Sequence, residues 1–164
     1  LMKTSISSLK RTIEKIEKEM QELVKKDPPL KQLFDLMTSI PGVGAIVAVN
    51  MIVVTDEFKK FDDPNKFACY AGVVPFDHRS GSSIRGKSKV SHIANKKIKT
   101  LFYLAALSAI TVKGEIQEYY LRKVAEGKNK MSVINAIRNK LIHRIFAVIK
   151  RLTPYQKNII AGLA

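Results

Sequence analysis

The chain has 164 residues, of which 46% are hydrophobic and one is cysteine, and its net charge is +15 at pH 7. This composition excludes a disordered tail, an internal disulfide and, because no apolar run reaches about 18 residues, a membrane span. With no signal peptide visible and Leu1 rather than methionine at its start, we expect one cytoplasmic domain with a short appendage, as a fragment of a longer protein.

The positive charge is concentrated in the second part of the chain. Residues 61–164 contain nineteen Lys or Arg against six Asp or Glu, whereas residues 1–60 contain ten against eight. A surface that binds nucleic acid needs such a cluster of cations, because each phosphate that a Lys or Arg neutralises releases counterions, and this release favours binding. The asymmetry therefore predicts DNA or RNA binding, and the alternative is a basic surface that serves only solubility.

Residues 1–27 predict a coiled-coil or oligomerisation helix. Apolar residues recur alternately four and three positions apart, with Lys and Glu between them. They are Met2, Ile6, Leu9, Ile13, Ile16, Met20 and Leu23. This strict period is narrower than the apolar face of most globular helices, so it favours self-association over packing on the chain's own domain. Asp27-Pro28-Pro29 is expected to end the helix.

Residues 30–55 predict a helix–hairpin–helix DNA-binding motif. An apolar-Pro-Gly-apolar-Gly turn at Ile40–Gly44 precedes a helix that is apolar almost all round. Two glycines would let the backbone approach a phosphate, and the first N–H groups of the second helix would bind it. We therefore expect Gly42, Val43 and Gly44 to contact the DNA backbone without reading the base sequence. An ordinary helix–helix corner is the alternative.

Residues 56–164 predict a helical domain that carries one long basic loop. Asp63-Pro64 has the sequence of an N-cap followed by proline at the first helical position. Further helices are expected from about Ala94, from Glu115 and from about Ser132. The predicted fold class is therefore mainly α.

The basic loop extends over residues 71–99 and contains no acid after Asp77. Three of its lysines fall in the first turn of the helix that follows, where they oppose the helix dipole but, with the free N–H groups, make an anion site. We predict that the loop binds DNA phosphates. The residues assigned to this role are Arg79, Arg85, Lys87, Lys96, Lys97 and Lys99.

The basic part of the chain shows no cluster of carboxylates or histidines with metal-ligand spacing, so no metal site is predicted there. A hydroxyl nucleophile is one chemical possibility. Ser80 stands between Arg79 and Gly81 and near His78. Attack on a phosphodiester would give a phosphoserine, and the neighbouring cations would stabilise the transition state. The residue pattern alone favours a plain Ser-Gly turn.

Four sequence blocks occur in an order that resembles the C-terminal transposase domain of the IS110/IS116/IS902 family of bacterial insertion-sequence transposases. The blocks are SIPGVGAIVAVNMIV, FKKFDDPNKFACYAGVVP, HRSG and SKVSHIANKKIKTLFYLAALSAI, and the likeness covers residues 33–150. The family's conserved elements would fall on Pro41–Gly44, Gly72–Pro75, Ser80-Gly81, and Ala94-Asn95 with Lys99.

Two positions depart from the family pattern. Ala94 replaces a glycine, and Lys99 replaces an arginine, which removes a bidentate fork to phosphate.

The resemblance implies a DNA recombinase that acts in transposition. In the full-length enzymes of the family, an N-terminal RuvC-like domain carries an acidic site that holds metal, expected to be Mg²⁺. A C-terminal serine, which would be Ser80 with Ser82 and Ser83 as neighbours, is taken to join covalently to DNA. Members act as oligomers bridged partly by a coiled coil, and some use a guide RNA.

We therefore predict the DNA-binding C-terminal fragment of an insertion-sequence transposase from a bacterial cytoplasm. It should form a homo-oligomer through its N-terminal helix and bind DNA without cleaving it alone. No cofactor is expected in this fragment. The alternatives are a non-catalytic helix–hairpin–helix DNA-binding module, in which Ser80 is a turn residue, and a purely structural oligomerisation protein with no DNA affinity.

Overall fold

The computed structural model describes residues 2–74, 79–80, 84–85 and 94–156, and this part is mainly α, as predicted. It contains seven α-helices: α1 (Met2–Lys26), α2 (Pro28–Thr38), α3 (Ala45–Thr55), α4 (Pro64–Tyr70), α5 (Lys96–Thr111), α6 (Glu115–Ala125) and α7 (Lys130–Arg151). Two strands of two residues each, β1 (Arg79–Ser80) and β2 (Ile84–Arg85), pair antiparallel. None of the described helices combines the length and apolar character that crossing a bilayer requires.

Helix α7 is the centre of the fold and packs against α2, α4, α5 and α6. Ile137, Leu141 and Ile145 recur every four residues along one face of α7 and are fully buried. Phe67 of α4 contacts Phe102 of α5 and Phe146 of α7, with ring centroids 6.2 Å and 5.7 Å apart. Each such side chain contributes about 1.5–3 kcal/mol by its burial, so α7 holds α4 and α5 in place.

The start of α2 was not predicted from the sequence. Helix α1 ends at Lys26, as expected, but the next helix begins immediately at Pro28. Asp27 caps it, because its Oδ1 accepts a hydrogen bond from the N–H of Leu30 at 3.1 Å. An Asp-Pro pair thus stops one helix and starts the next, since proline needs no N–H donor at the first helical position.

The same chemistry was predicted correctly at Asp63-Pro64. There Asp63 Oδ1 accepts from the N–H of Asn65 at 2.8 Å, and α4 begins at Pro64.

The apolar stripe of α1, which we define as Met2, Ile6, Leu9, Ile13, Ile16, Met20 and Leu23, is largely exposed. Its side chains are between 38% and 82% exposed. Of the described α1 residues, Val24 alone is buried, and it lies next to the stripe rather than in it. Only Met20 of the stripe borders described residues of the domain, in a groove with Ala45 and Ile46 of α3, and the role of the stripe in oligomerisation stays a prediction.

Candidate nucleic-acid interface

The Ile40–Gly44 turn connects α2 to α3 and is anchored in the core. Ile40 and Val43 are 1% and 4% exposed, and the N–H of Val43 donates to the carbonyl of Ile40 at 3.0 Å. The side chain and N–H of Val43 are thus both used inside the protein. Its predicted contact with the DNA backbone stays a prediction.

Gly42 has a structural reason to be glycine. Its φ is +90°, a conformation that side chains rarely adopt, and its Cα lies against α5. A Cβ at this position would lie 2.5 Å from the Cβ of Ala109 and 2.8 Å from the carbonyl oxygen of Ala105. The structure thus gives Gly42 a role in packing the turn on α5, and the approach of a DNA phosphate that the sequence predicted at Gly42 stays a prediction.

Gly44 has a different environment. It is the N-cap of α3, with φ −91° and ψ 176°, and it is exposed. Within the described residues, an added Cβ would meet no atom within 4 Å. Because glycine has no side chain to cap the helix, the first N–H groups of α3 have no partner of that kind, and they carry the positive end of the helix dipole. The start of α3 is thus open to an anion.

The start of α5 is fixed by Asn95. Its Oδ1 accepts from the N–H of Ile98 at 3.1 Å, which caps the helix. Its Nδ2 donates to the hydroxyl of Tyr70 at 2.8 Å, and its backbone N–H donates to the carbonyl of Tyr70 at 2.9 Å. Asn95 therefore ties α5 to the end of α4. The sequence analysis placed Asn95 in a family motif but gave it no role.

The structure brings the start of α5 near the start of α3. Lys96 and Lys97 are exposed in the first turn of α5, and Lys99 is half-buried. Lys97 lines one groove of about 230 Å³ together with Ala45 and Ile46 from the first turn of α3. Two predicted DNA-binding elements, far apart in sequence, thus border the same groove.

The basic loop is held at both ends by side chains one turn apart on α7. Asn135 Nδ2 donates to the carbonyl of Val73 at 2.8 Å, where the loop begins. Arg138 Nη2 donates to the carbonyl of Lys99 at 3.3 Å, where the loop has entered α5. Helix α7 therefore sets the separation of the loop's two ends.

Arg138 is a buried cation, only 6% exposed. Its Nε has no hydrogen-bond partner, and it forms no ion pair within the described part of the chain. Burial lowers the pKa of its guanidinium, and nearby Tyr103 acts in the opposite direction. Nothing in the sequence pattern distinguished Arg138 from the exposed cations of α7.

Only the backbone pairing of the loop's central residues is described. Arg79 stands opposite Arg85, and Ser80 opposite Ile84. Ser80 thus occupies a strand position rather than the middle of a turn. Lys87, Ser82 and Ser83 lie outside the described residues. The roles predicted for all of these residues stay predictions.

A cluster that sequence reasoning missed joins α6, α7 and the C-terminal segment. The Glu115 carboxylate pairs with Lys140, 3.1 Å away, and with Arg144. The hydroxyl of Tyr155 donates to Glu115 at 3.4 Å, and the Arg144 guanidinium lies 4.9 Å from the centre of the Tyr155 ring. From the sequence, Glu115 was expected only to begin a helix.

Lys140 and Arg144, two of the basic residues of α7, therefore make contacts within the protein. Burial acts to raise the pKa of the Glu115 carboxyl, but the hydrogen bonds and charges of Lys140 and Arg144 outweigh it, so the net shift is downward. Burial raises the pKa of the Tyr155 hydroxyl, and the positive charge of Arg144 offsets part of this rise.

No three His, Cys, Asp or Glu side chains come together as a metal-binding group among the described residues. The resemblance places the Mg²⁺ site of the family in the N-terminal domain of the full-length enzymes, and that expectation stays a prediction.

The profile of the Transposase IS116/IS110/IS902 family matches residues 35–121, which is more than half of the chain. The chain belongs to this transposase family. The matched region begins in α2 and includes the hairpin turn, the basic loop and all of α5.

Curated relatives agree with this assignment. A pilin gene-inverting protein of Moraxella lacunata is 29% identical over 149 residues, which cover 90% of this chain and 46% of the relative. A 43.6 kDa protein of insertion element IS110 from Streptomyces coelicolor is 26% identical over 160 residues, covering 98% of this chain and 38% of the relative. The chain spans about half the length, or less, of these relatives.

Proposed function

We propose that this chain is the DNA-binding part of an insertion-sequence transposase that acts in DNA recombination. The observation that carries the proposal is the meeting of two helix starts at one groove. Ala45 and Ile46, directly after the open N-cap Gly44, and Lys97 from the first turn of α5 line it together, with Glu17 of α1 at its edge. Both helix starts belong to the segment that the transposase profile matches.

The proposed contact is with the DNA backbone. Helix N-termini and lysine ammonium groups bind phosphate oxygens, which are the same for every base sequence. Binding of this kind releases counterions, so its affinity must fall steeply as salt is raised. The phosphates of RNA offer the same chemistry, and we therefore include a structured guide RNA as a second proposed partner.

The test is a salt series of DNA affinities for three versions of the chain. The double variant Lys96→Ala/Lys97→Ala should bind DNA more weakly and reduce the slope of log affinity against log salt by about one to two. The matched control is Lys128→Ala/Lys130→Ala, which removes two exposed lysines around the start of α7. Equal effects of the two double variants would contradict the proposed site.

A structured RNA added as competitor tests the second partner. If the groove accepts RNA phosphates, RNA should displace DNA from the unmodified chain, and Lys96→Ala/Lys97→Ala should weaken both. If RNA displaces DNA from this double variant as well as from the unmodified chain, the RNA binds outside the groove.

We further propose that Ser80 is the nucleophile in the full-length enzyme. Its Oγ would form a bond to phosphorus, the bond from phosphorus to one deoxyribose oxygen would break, and that oxygen would leave as a hydroxyl carrying the serine proton. No oxidant or reductant is needed. Support comes from the family match and from the cations beside Ser80 in the sequence. The proposal assigns Mg²⁺ to residues outside those described here.

Ser80→Ala in the full-length protein separates a catalytic serine from a simple turn residue. We expect transposition to be lost while DNA affinity is kept, with Ser82→Ala and Ser83→Ala as matched controls. Undiminished transposition by Ser80→Ala would leave the non-catalytic DNA-binding module as the function of this chain.

The last part of the proposal is homo-oligomerisation through α1. Seven exposed apolar side chains in a strict heptad pattern support it, because such a stripe is stable in water only when another helix covers it. Sedimentation of the unmodified chain and of Ile13→Asp, which places a charge in the middle of the stripe, tests it. A chain that stays monomeric would contradict it.

A further inference from the structure

Helix α1 offers its apolar stripe over nearly its whole length. The flank that touches the rest of the protein is a different one, where Val24 is buried and Glu17 and Gln21 are half-buried. This flank adjoins the stripe, and Met20 of the stripe borders the groove beside Ala45 and Ile46, while the other six apolar side chains of the stripe remain exposed to a second helix. The following inference rests on the proposed oligomerisation and asks how the two helices are oriented.

The heptad assignment follows from the spacing. The first core position, a, falls on Ile6, Ile13 and Met20, and the second, d, falls on Met2, Leu9, Ile16 and Leu23. The flanking e and g positions decide the orientation of a coiled coil through their charges. The e positions are Lys3, Lys10, Glu17 and Val24, and the g positions are Ser5, Thr12, Glu19 and Lys26.

A parallel pair places each g residue opposite the e residue five positions later in the second helix. Lys10 then faces Ser5, Glu17 faces Thr12, and Val24 faces Glu19. This orientation forms no pair of opposite charges on either flank.

An antiparallel pair places e opposite e and g opposite g. When Ile13 of one copy packs beside Ile16 of the other, Lys10 faces Glu17, and the symmetry of the pair forms this contact twice. A shift by one heptad in one direction would oppose Lys10 to Lys10 between two Lys3–Glu17 contacts, and a shift in the other would oppose Glu17 to Glu17. Of these three registers, only the first forms opposite-charge contacts without a like-charge contact, so the charges favour that register as well as the antiparallel orientation.

We infer that two copies of this chain pair through antiparallel α1 helices, with Lys10 of each copy bound to Glu17 of the other. Both side chains are available for this contact, since neither forms an ion pair within the described part of the chain. Glu17 also lines the groove between α1, α3 and α5, where apolar Ile46 is 45% exposed.

Charge reversal tests the inference directly. Lys10→Glu alone and Glu17→Lys alone each create two like-charge contacts in the antiparallel pair, so each should raise the dimer Kd by at least about tenfold. The double variant Lys10→Glu/Glu17→Lys restores opposite charges and should return the Kd close to its original value. The matched control is Arg11→Glu, at an exposed position outside the interface, which should leave the Kd unchanged.

Disulfide trapping gives an independent readout in a Cys69→Ser background. The antiparallel register places Leu9 beside Met20 of the second copy, so a mixture of Leu9→Cys and Met20→Cys chains should oxidise to the mixed dimer. Leu9→Cys alone should not cross-link, because its two copies lie eleven residues apart along the axis, about 16 Å.

Each outcome decides between the claims. Suppose that Ile13→Asp disrupts the dimer but that Lys10→Glu and Glu17→Lys leave its Kd unchanged. This result would overturn the antiparallel orientation but keep oligomerisation through the stripe. Ready cross-linking of Leu9→Cys to itself would also overturn it. A chain that stays monomeric would overturn both claims, while DNA affinity, measured on the same samples, reports separately on the DNA-binding proposal.

Discussion

Gly42 and Ala109 are so close that a single methyl group does not fit between their backbones. A Cβ built on Gly42 would lie 2.5 Å from the Cβ and 2.9 Å from the Cα of Ala109. This approach fixes the hairpin turn on α5 and thereby sets the position of the start of α3 relative to α5. The candidate DNA-binding groove depends on that relationship.

Gly42→Ala should therefore destabilise the protein strongly. The added methyl group must displace α5, and the φ of +90° is unfavourable for alanine. Overpacking and backbone strain together should lower the free energy of unfolding by about 2–5 kcal/mol. Urea unfolding followed by circular dichroism measures the change.

The matched control for this substitution is Gly127→Ala. Gly127 has a similar φ of +80°, but an added Cβ there would meet no atom within 4 Å in the described part of the chain. Gly127→Ala should lower the free energy of unfolding only by the backbone strain, about 1–2 kcal/mol. Equal costs at the two glycines would contradict a packing role for Gly42.

Gly44→Ala should separate function from stability. The φ of −91° suits alanine and the site is open, so the free energy of unfolding should fall by no more than about 1 kcal/mol, the difference between glycine and alanine as N-caps. If the DNA backbone approaches the start of α3, the methyl group should nevertheless weaken DNA binding severalfold. Fluorescence anisotropy with labelled duplex measures it, and unchanged affinity would remove Gly44 from the interface.

Arg138→Met should keep or raise stability. The guanidinium is buried with one hydrogen bond of 3.3 Å and an unpaired Nε, so its desolvation is poorly compensated. Methionine keeps most of the packing of the side chain, and we expect a change between zero and about +1 kcal/mol in the free energy of unfolding.

Arg138→Ala is the comparison, since it removes the packing as well and should cost about 2–3 kcal/mol. Stability losses of equal size in Arg138→Met and Arg138→Ala would show instead that the hydrogen bond to Lys99 outweighs the desolvation. DNA affinity of Arg138→Met, compared at equal folded fraction, reports whether the fixed loop end matters for binding.

The helices were predictable from sequence, because their signals are local. Asp63-Pro64 and the heptads of α1 depend on neighbours only a few residues away. The one missed start, at Asp27-Pro28, came from treating the proline pair only as a stop, although the aspartate before it is a cap.

The tertiary relationships were not predictable in the same way. Gly42 meets Ala109, Glu115 meets Arg144, and Asn135 meets Val73, each across a wide gap in the sequence. A glycine pattern looks the same whether a phosphate or a helix occupies the space beside it. The reason for glycine at 42 could therefore be read only from the packed structure.

The Glu115 cluster predicts a specific pH dependence of stability. The pKa of this carboxyl is lowered from its ordinary value of 4.5, so the folded protein binds this proton less readily than the unfolded chain. The stabilisation is therefore present above about pH 4.5 and is lost as pH falls through the folded-state pKa. Because the Glu115 side chain is 54% exposed, we expect only about 0.5–1 kcal/mol at pH 7.

Glu115→Gln should remove this contribution at pH 7 and make a smaller difference at pH 3, because the stabilisation by the ionised carboxyl declines as pH falls through the folded-state pKa. Glu118→Gln is the control, since Glu118 is an exposed acid in the same first turn of α6 and forms no ion pair within the described residues. Urea unfolding of the three proteins at both pH values measures the difference. A loss for Glu115→Gln that is as large at pH 3 as at pH 7 would contradict the ionic origin of this contact, because packing does not titrate.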